Sequence, residues 1–188
     1  MKNSILIILH NKTMKTDFWK LKKEKLHNTN LFSYENFIHK NLNIDLQNDF
    51  DKIWKWSIKN PEIFWKSIWD FTKIKGKIGN ILLEKSDIFY KNKFFPNAEL
   101  NYAENLLKKN NEEDAIIFKS ENGYKKSLSW KNLKLNVAEI SEWMNLMGVN
   151  KGDRVAAYIP NTPESVIAYL STSAVGAIWS SCSPDFGV

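Results

Sequence analysis

The chain has 188 residues, 43% of them hydrophobic and 26% charged, which is the composition of a globular protein able to bury a core and the length of one domain or slightly more. Lysine and arginine number 27 against 21 acids, a formal charge of +6, but the excess is lysine scattered among Asn and Ile, and it forms no dedicated polyanion-binding stripe. A single cysteine, Cys182, excludes an internal disulfide and a cysteine-based metal cluster, with His10, His27 and His39 all far from it in sequence, and a cytoplasmic location is expected.

The N-terminal stretch MKNSILIILHNKTMK holds the apolar run from Ile5 to Leu9, shorter than the roughly 7–15 residues of a signal-peptide core and without a small-residue cleavage site. No stretch approaches the roughly 20 apolar residues that span a bilayer. Residues 1–17 are expected to be a dispensable, disordered extension, with Met14 suited to be the true start. Residues 18–40 read as an irregular arm carrying one short helix near 33–39, and in DLQNDFDKIWKWSIKN the residues Phe50, Ile53, Trp54 and Ile58 recur at helical spacing.

A further helix is expected in PEIFWKSIWDF. Asn60 suits its N-cap, Pro61 the first helical position and Glu62 the positive end of the helix dipole, and Ile63, Phe64, Ile68 and Phe71 form a broad apolar face. Trp54, Trp56, Trp65 and Trp69 fit a base-stacking platform, but tryptophans at helical spacing are far more often packing residues. Between 73 and 93 the chain loosens, with Gly76 and Gly79 marking turns. In FFPNAELNYAENLLKK, Asn101 caps a helix and Glu104 is placed to reach back to it as in a capping box.

AIIFKSE and YKKSLSW flank Asn122-Gly123, a hairpin signal whose two turn residues tolerate positive φ. Ser129 then caps a long amphipathic helix with Leu133, Val137, Ile140, Met144 and Met147 on one stripe and Gly148 as its left-handed stop. GDRVAAYIP is a buried strand ended by Pro160. It is followed by a helix with Thr162 as cap, Pro163 first and Glu164 in the first turn, closed by Gly176, and by a second strand over residues 177–181. Strand, helix and strand with short connections make a βαβ unit with parallel strands and a right-handed crossover. A two-stranded parallel sheet does not stand alone, so more strands are expected after Val188 in the complete protein.

Open α/β sheets bind ligands beyond the carboxyl ends of their strands, where PNTPES and SSCSPDFG lie. Thr162 and Ser183 are open there to two roles, ligand contact or cap and turn. Cys182 has no histidine placed near it by any motif and reads as a small residue at a strand end. His27 and His39 read as surface or helix-face residues, and Asp49, Asp51, Glu112, Glu113 and Asp114 as solvated.

FFPNAELNYAENLL, GVNKGDRVAAYIPNTPESVIAYL and above all GAIWSSCSPDFGV resemble the N-terminal part of the adenylate-forming acyl-CoA synthetase superfamily, in its acetoacetate-activating branch, and residues 34–71 resemble the N-terminal helical segment of acetyl-CoA synthetase relatives. The resemblance implies an α/β fold: an N-terminal helical segment over 18–93, then from 94 to 188 the first part of a large AMP-binding domain (hairpin, long helix, βαβ), truncated. It implies a ligase that activates acetoacetate or a similar short-chain acid with ATP and Mg to an acyl-adenylate and passes the acyl group to coenzyme A, with neither nucleic acid nor membrane as partner. Ser183 and Pro184 fall by that resemblance at the coenzyme A channel. No phosphate-cradling loop is present, since GKIG at 76–79 lacks the P-loop spacing, and the family's phosphate loop and catalytic lysine are expected beyond residue 188, so this chain alone is expected to be inactive and no catalytic residue or metal ligand is carried over. The competing readings are a small, basic, aromatic-rich nucleic-acid-binding protein and a partner-binding module.

Deleting residues 1–13 is expected to leave folding and solubility unchanged, as measured by circular dichroism and soluble yield; a clear loss of either would show that the apolar run packs against the rest.

Overall fold

The computed structural model describes residues 27–47 and 49–186, so the extension over 1–17 and the start of the arm at Phe18 lie outside the described residues. The chain divides into two compact units, Met1–Lys59 and Asn60–Val188.

In the first unit, helix α1 (Asn30–Leu42) is three residues longer at each end than expected. Thr29 Oγ1 accepts a hydrogen bond from the Phe32 amide at 3.2 Å, and Asn43, at φ 55°, stops the helix in the left-handed conformation. Helix α2 (Phe50–Lys59) is capped by Asp49, whose Oδ1 accepts from the amides of Asp51 at 2.9 Å and Lys52 at 3.3 Å. Asp49 therefore has a structural role beyond solvation. Of the expected stripe only Ile53 is buried; Phe50, Trp54 and Ile58 are 67%, 53% and 60% exposed.

The second unit begins with α3 (Pro61–Phe71). Pro61 and Glu62 stand where expected, but the Asn60 side chain makes no capping bond, and it is the Asn60 carbonyl that accepts from Phe64 at 2.9 Å. Phe64, Ile68 and Phe71 are half-buried and Ile63 is exposed. The α3 tryptophans pack edge-on against aromatic neighbours, Trp65 against Phe64 at 5.2 Å and Phe94 at 5.8 Å, and Trp69 against Phe95 at 5.5 Å.

Four short strands follow: β1 (Gly76–Lys77), β2 (Leu83–Glu84), β3 (Lys93–Phe94) and β4 (Glu99–Leu100), β1 antiparallel to β4 and β2 to β3. Gly76 is required by close approach, because a Cβ there would lie 2.6 Å from the Glu99 carbonyl oxygen. Helix α4 (Tyr102–Leu106) starts on Asn101, whose Oδ1 accepts from the Glu104 amide at 3.1 Å, while the Glu104 carboxylate is directed to Lys75, 3.5 Å away. The expected cap forms, and the reciprocal half of the box is replaced by an ion pair.

The hairpin β5 (Asp114–Lys119) and β6 (Lys125–Ser129) forms where expected, with a different turn. The Gly123 amide bonds back to Ser120 O at 3.1 Å, the Ser120 amide bonds to Tyr124 O at 2.9 Å, and in this turn Gly123 alone has positive φ, at 87°. This is a three-residue loop closed by a left-handed glycine rather than a two-residue Asn-Gly turn. Helix α5 (Trp130–Leu146) is capped by Ser129, whose Oγ accepts from the Asn132 amide at 3.3 Å. Its stripe is narrower than expected: Leu133, Val137 and Met144 are buried, whereas Ile140 is 38% and Met147 62% exposed.

The βαβ unit is present as β7 (Arg154–Tyr158), α6 (Pro163–Ala174) and β8 (Ile178–Cys182), the strands parallel from Arg154↔Ile178 to Tyr158↔Cys182. The core joins α4, the hairpin, α5 and α6 through Ala103, Leu107, Leu128, Leu133, Val137 and Leu170. Ser171 and Thr172 are fully buried on α6, their hydroxyls donating to Ile167 O and Ala168 O at 2.8 Å each, so small side chains bring α6 close to α5 without an orphan polar group.

Asn101 ties two helix ends together. Besides capping α4, its Nδ2 donates to Ser173 O at 3.2 Å and Ala174 O at 2.9 Å, the last carbonyls of α6. Replacing it by Ala is expected to cost about 1–3 kcal/mol, with faster amide exchange in α4 and the last turn of α6 and none in the hairpin. Asn101→Asp is expected to recover little, because a carboxylate would face the negative end of α6. Unchanged exchange in both helix ends would contradict this role.

Candidate functional site

The expected ligand-binding edge is built from two loops at the carboxyl ends of β7 and β8. The ladder continues past the strands through the Ile159 amide, which bonds to Cys182 O at 3.2 Å and so holds the loops side by side. In the first loop the Thr162 amide bonds to Pro160 O at 2.8 Å, and the Thr162 carbonyl accepts from both the amide and the hydroxyl of Ser165, at 3.0 and 2.7 Å. Thr162 occupies the N-cap position, but its side chain makes no capping bond; it interacts with the Glu164 carboxylate instead.

The second loop is a turn closed on itself. Ser183 Oγ donates to Asp185 Oδ2 at 2.9 Å and accepts from the Asp185 amide at 3.3 Å, and the Phe186 amide bonds to Ser183 O at 3.2 Å. The Tyr158 hydroxyl donates to Pro184 O at 3.0 Å, clamping this loop to the end of β7. Of the two roles open to Ser183, these bonds supply the turn role. Pro184 is exposed, Ser183 is half-buried, and the Cys182 thiol is free and exposed.

The principal electrostatic feature near this edge is Lys126 of β6, whose Nζ lies 2.6 Å from Glu164 Oε1 in the first turn of α6. Three groups hold the Glu164 carboxyl down to about 2: the Lys126 ammonium foremost, then its own backbone amide and the Thr162 side chain. The pair stands at the rim of a groove of about 330 Å³ floored by Leu128, Ile140, Ile167 and Ala168. Sequence reading placed Glu164 at the helix start without finding Lys126, 38 residues away.

The GKIG glycines are held by close backbone approach. Gly76 is in β1 against β4, and a Cβ on Gly79 would meet Asn97 at 2.9 Å. Among the described residues no group of three or more His, Cys, Asp or Glu could hold a metal ion, and no helix is long and apolar enough to cross a membrane. Glu112 and Glu113, expected to be merely solvated, are exposed but paired, with Lys131 at 2.9 Å and Lys109 at 3.2 Å.

Comparison with known proteins agrees with this architecture. Residues 104–188 match the family described as AMP-binding enzyme, and residues 50–106 match the acetyl-coenzyme A synthetase N-terminus. An acetoacetyl-coenzyme A synthetase of Rhizobium meliloti (strain 1021) is 42% identical over 139 residues, covering 74% of this chain and 21% of the relative. One from Xenopus tropicalis is 34% identical over 164 residues, covering 85% of this chain and 24% of the relative. The solved acetoacetyl-CoA synthetase from Streptomyces lividans superimposes with a TM-score of 0.79 at 27% identity, over 90% of this chain and 27% of that one. The chain thus spans between a fifth and a quarter of the length of these two curated relatives.

Glu164→Gln is expected to lower stability at pH 7 by no more than about 1 kcal/mol, since the Glu164 side chain is 55% exposed and the pair is screened. Because the folded carboxyl titrates at about 2 against an ordinary 4.5, the contribution is present above pH 4.5 and is lost as pH falls from there toward 2. Denaturant midpoints of parent and variant should therefore converge across that window; a constant difference down to pH 2 would contradict the assignment.

Proposed function

We propose, for a chain homologous to the N-terminal part of acetoacetyl-CoA synthetases, that it is the N-terminal part of a cytoplasmic acid-thiol ligase. That ligase activates acetoacetate with ATP and Mg to an acyl-adenylate and pyrophosphate and then transfers the acyl group to coenzyme A. The carrying observation is the superposition on the Streptomyces lividans structure over 90% of this chain, a fold match at 27% identity.

In this reading residues 18–93 are the N-terminal helical segment, residues 94–188 begin the AMP-binding domain, and residues 1–17 are an extension. The chain's own contribution is framework. The loop after β8 forms one wall of the coenzyme A channel, with Ser183 and Pro184 in it. The Tyr158 to Pro184 bond and the Ser183 to Asp185 bonds set that wall's shape before any ligand arrives. A wall held by its own hydrogen bonds costs less ordering on binding than a free loop. In this reading the phosphate-binding and charge-stabilising groups that adenylation requires come from the rest of the ligase and not from this chain.

The 188-residue chain alone is expected to show no acetoacetate-dependent exchange between pyrophosphate and ATP; exchange above a mock preparation would overturn the reading. Joined to the C-terminal remainder of the Rhizobium meliloti relative, it is expected to form acetoacetyl-CoA. In that chimera Ser183→Trp should raise KM for coenzyme A about fivefold or more and leave the exchange reaction unchanged. Loss of both half-reactions together, or of neither, would remove Ser183 from the channel.

A further inference from the structure

The turn after β8 is held by two kinds of bond with different effects. Ser183 Oγ donates to Asp185 Oδ2 and accepts from the Asp185 amide, and the Phe186 amide bonds to Ser183 O, so these three set the shape of the turn from within. They do not set where the turn stands relative to β7. That is set by two ties on either side of Ser183. The Ile159 amide bonds to Cys182 O at 3.2 Å and extends the backbone ladder, and the Tyr158 hydroxyl donates to Pro184 O at 3.0 Å. Tyr158 is registered with Cys182 at the ends of the two strands, and its hydroxyl reaches two residues further along the partner segment.

The Tyr158 ring fills no core. It is 67% exposed, so most of its apolar area stays in water and contributes little. Among the described residues its hydroxyl makes the one side-chain hydrogen bond from β7 to this turn. Pro184 is suited to receive it: a proline has no amide to give and a fixed φ, and the bonds within the turn use the carbonyl of Ser183, leaving that of Pro184 to the strand. A neutral hydrogen bond of this kind shifts an equilibrium by roughly two- to tenfold, enough to bias where an exposed turn stands.

We propose that Tyr158 is a positioning residue for coenzyme A binding. Its hydroxyl holds Ser183 and Pro184 in place at the channel wall, and adenylation does not depend on it. The role rests on the channel reading above; the latch between β7 and the turn does not.

The test is Tyr158→Phe, which removes the hydroxyl and keeps the ring. In the isotope-labelled 188-residue chain, the Pro184 carbonyl carbon, read by nuclear magnetic resonance through the Asp185 amide, is expected to move upfield on losing its donor, with far-ultraviolet circular dichroism unchanged. In the chimera with the Rhizobium meliloti remainder, the same variant is expected to raise KM for coenzyme A about two- to tenfold and to leave acetoacetate-dependent exchange between pyrophosphate and ATP unchanged. Tyr158→Leu should match Tyr158→Phe, because the exposed ring adds little, and Tyr124→Phe on the hairpin should move neither readout. An unmoved Pro184 carbonyl would overturn the latch and the proposal with it. A moved carbonyl with unchanged KM, or a fall in both half-reactions together, would overturn the positioning role. So would a Tyr158→Leu chimera that loses activity while Tyr158→Phe matches the parent. A parent chimera that makes no acetoacetyl-CoA would bring down the ligase reading and this role together, while the carbonyl shift still decides the latch, so the two failures are told apart.

Discussion

The second unit depends on the burial of α6. Leu170, Ser171 and Thr172 are sealed from solvent because α4, α5 and β8 all pack against the same helix. A helix enclosed on several sides cannot carry long polar side chains inward, and large apolar ones would hold its neighbours apart. Ser and Thr resolve this by returning their hydroxyls to their own helix, at Ile167 O and Ala168 O, and Ser171 also reaches Val137 O of α5 at 3.2 Å. The helix contact is thus close and fully satisfied, and it fixes where the two strands flanking α6 emerge.

From that anchor the loops at the carboxyl ends of β7 and β8 take their positions. The C-terminal carbonyls of α6 are met by Asn101, its N-terminal turn is met by Lys126 from the hairpin, and so both ends of the helix are held by residues distant in sequence. Each tie is modest, since exposed ion pairs and single hydrogen bonds contribute little individually. Together they leave the β7 and β8 loops little freedom, and the Tyr158 to Pro184 bond removes more.

The proposed function follows the same division of labour. The described residues make a scaffold, and at the strand ends they hold a turn closed by its own hydrogen bonds. In α/β proteins chemistry sits on loops held by such a scaffold. The tryptophans of α3 belong to it as well: Trp65 and Trp69 meet Phe94 and Phe95 edge-on, joining the helix to the strand region that follows.

The elements most legible in the sequence were those with local causes. Helical periodicity, Ser129 as a cap, the glycine after α5 and the strand-helix-strand order at the end of the chain are set by bonds spanning a few residues, and those elements appear where the residues place them. The acyl-CoA synthetase resemblance was legible for the same reason, being carried by contiguous motifs. What tertiary structure decided was every choice among locally equivalent options. Asn60 and Thr162 stand at helix starts yet do not cap, while Asp49, read as solvated, does. Ile140 and Met147 share a stripe with Leu133 but stay exposed, as do Phe50 and Trp54 beside the buried Ile53. Asn101 holds α6 from 72 residues away, and Lys126 pairs with Glu164 across 38. Periodicity states which side of a helix is apolar, but how much of that side is buried, and which polar group finds a distant partner, depends on neighbours that only the folded chain brings within a few ångströms.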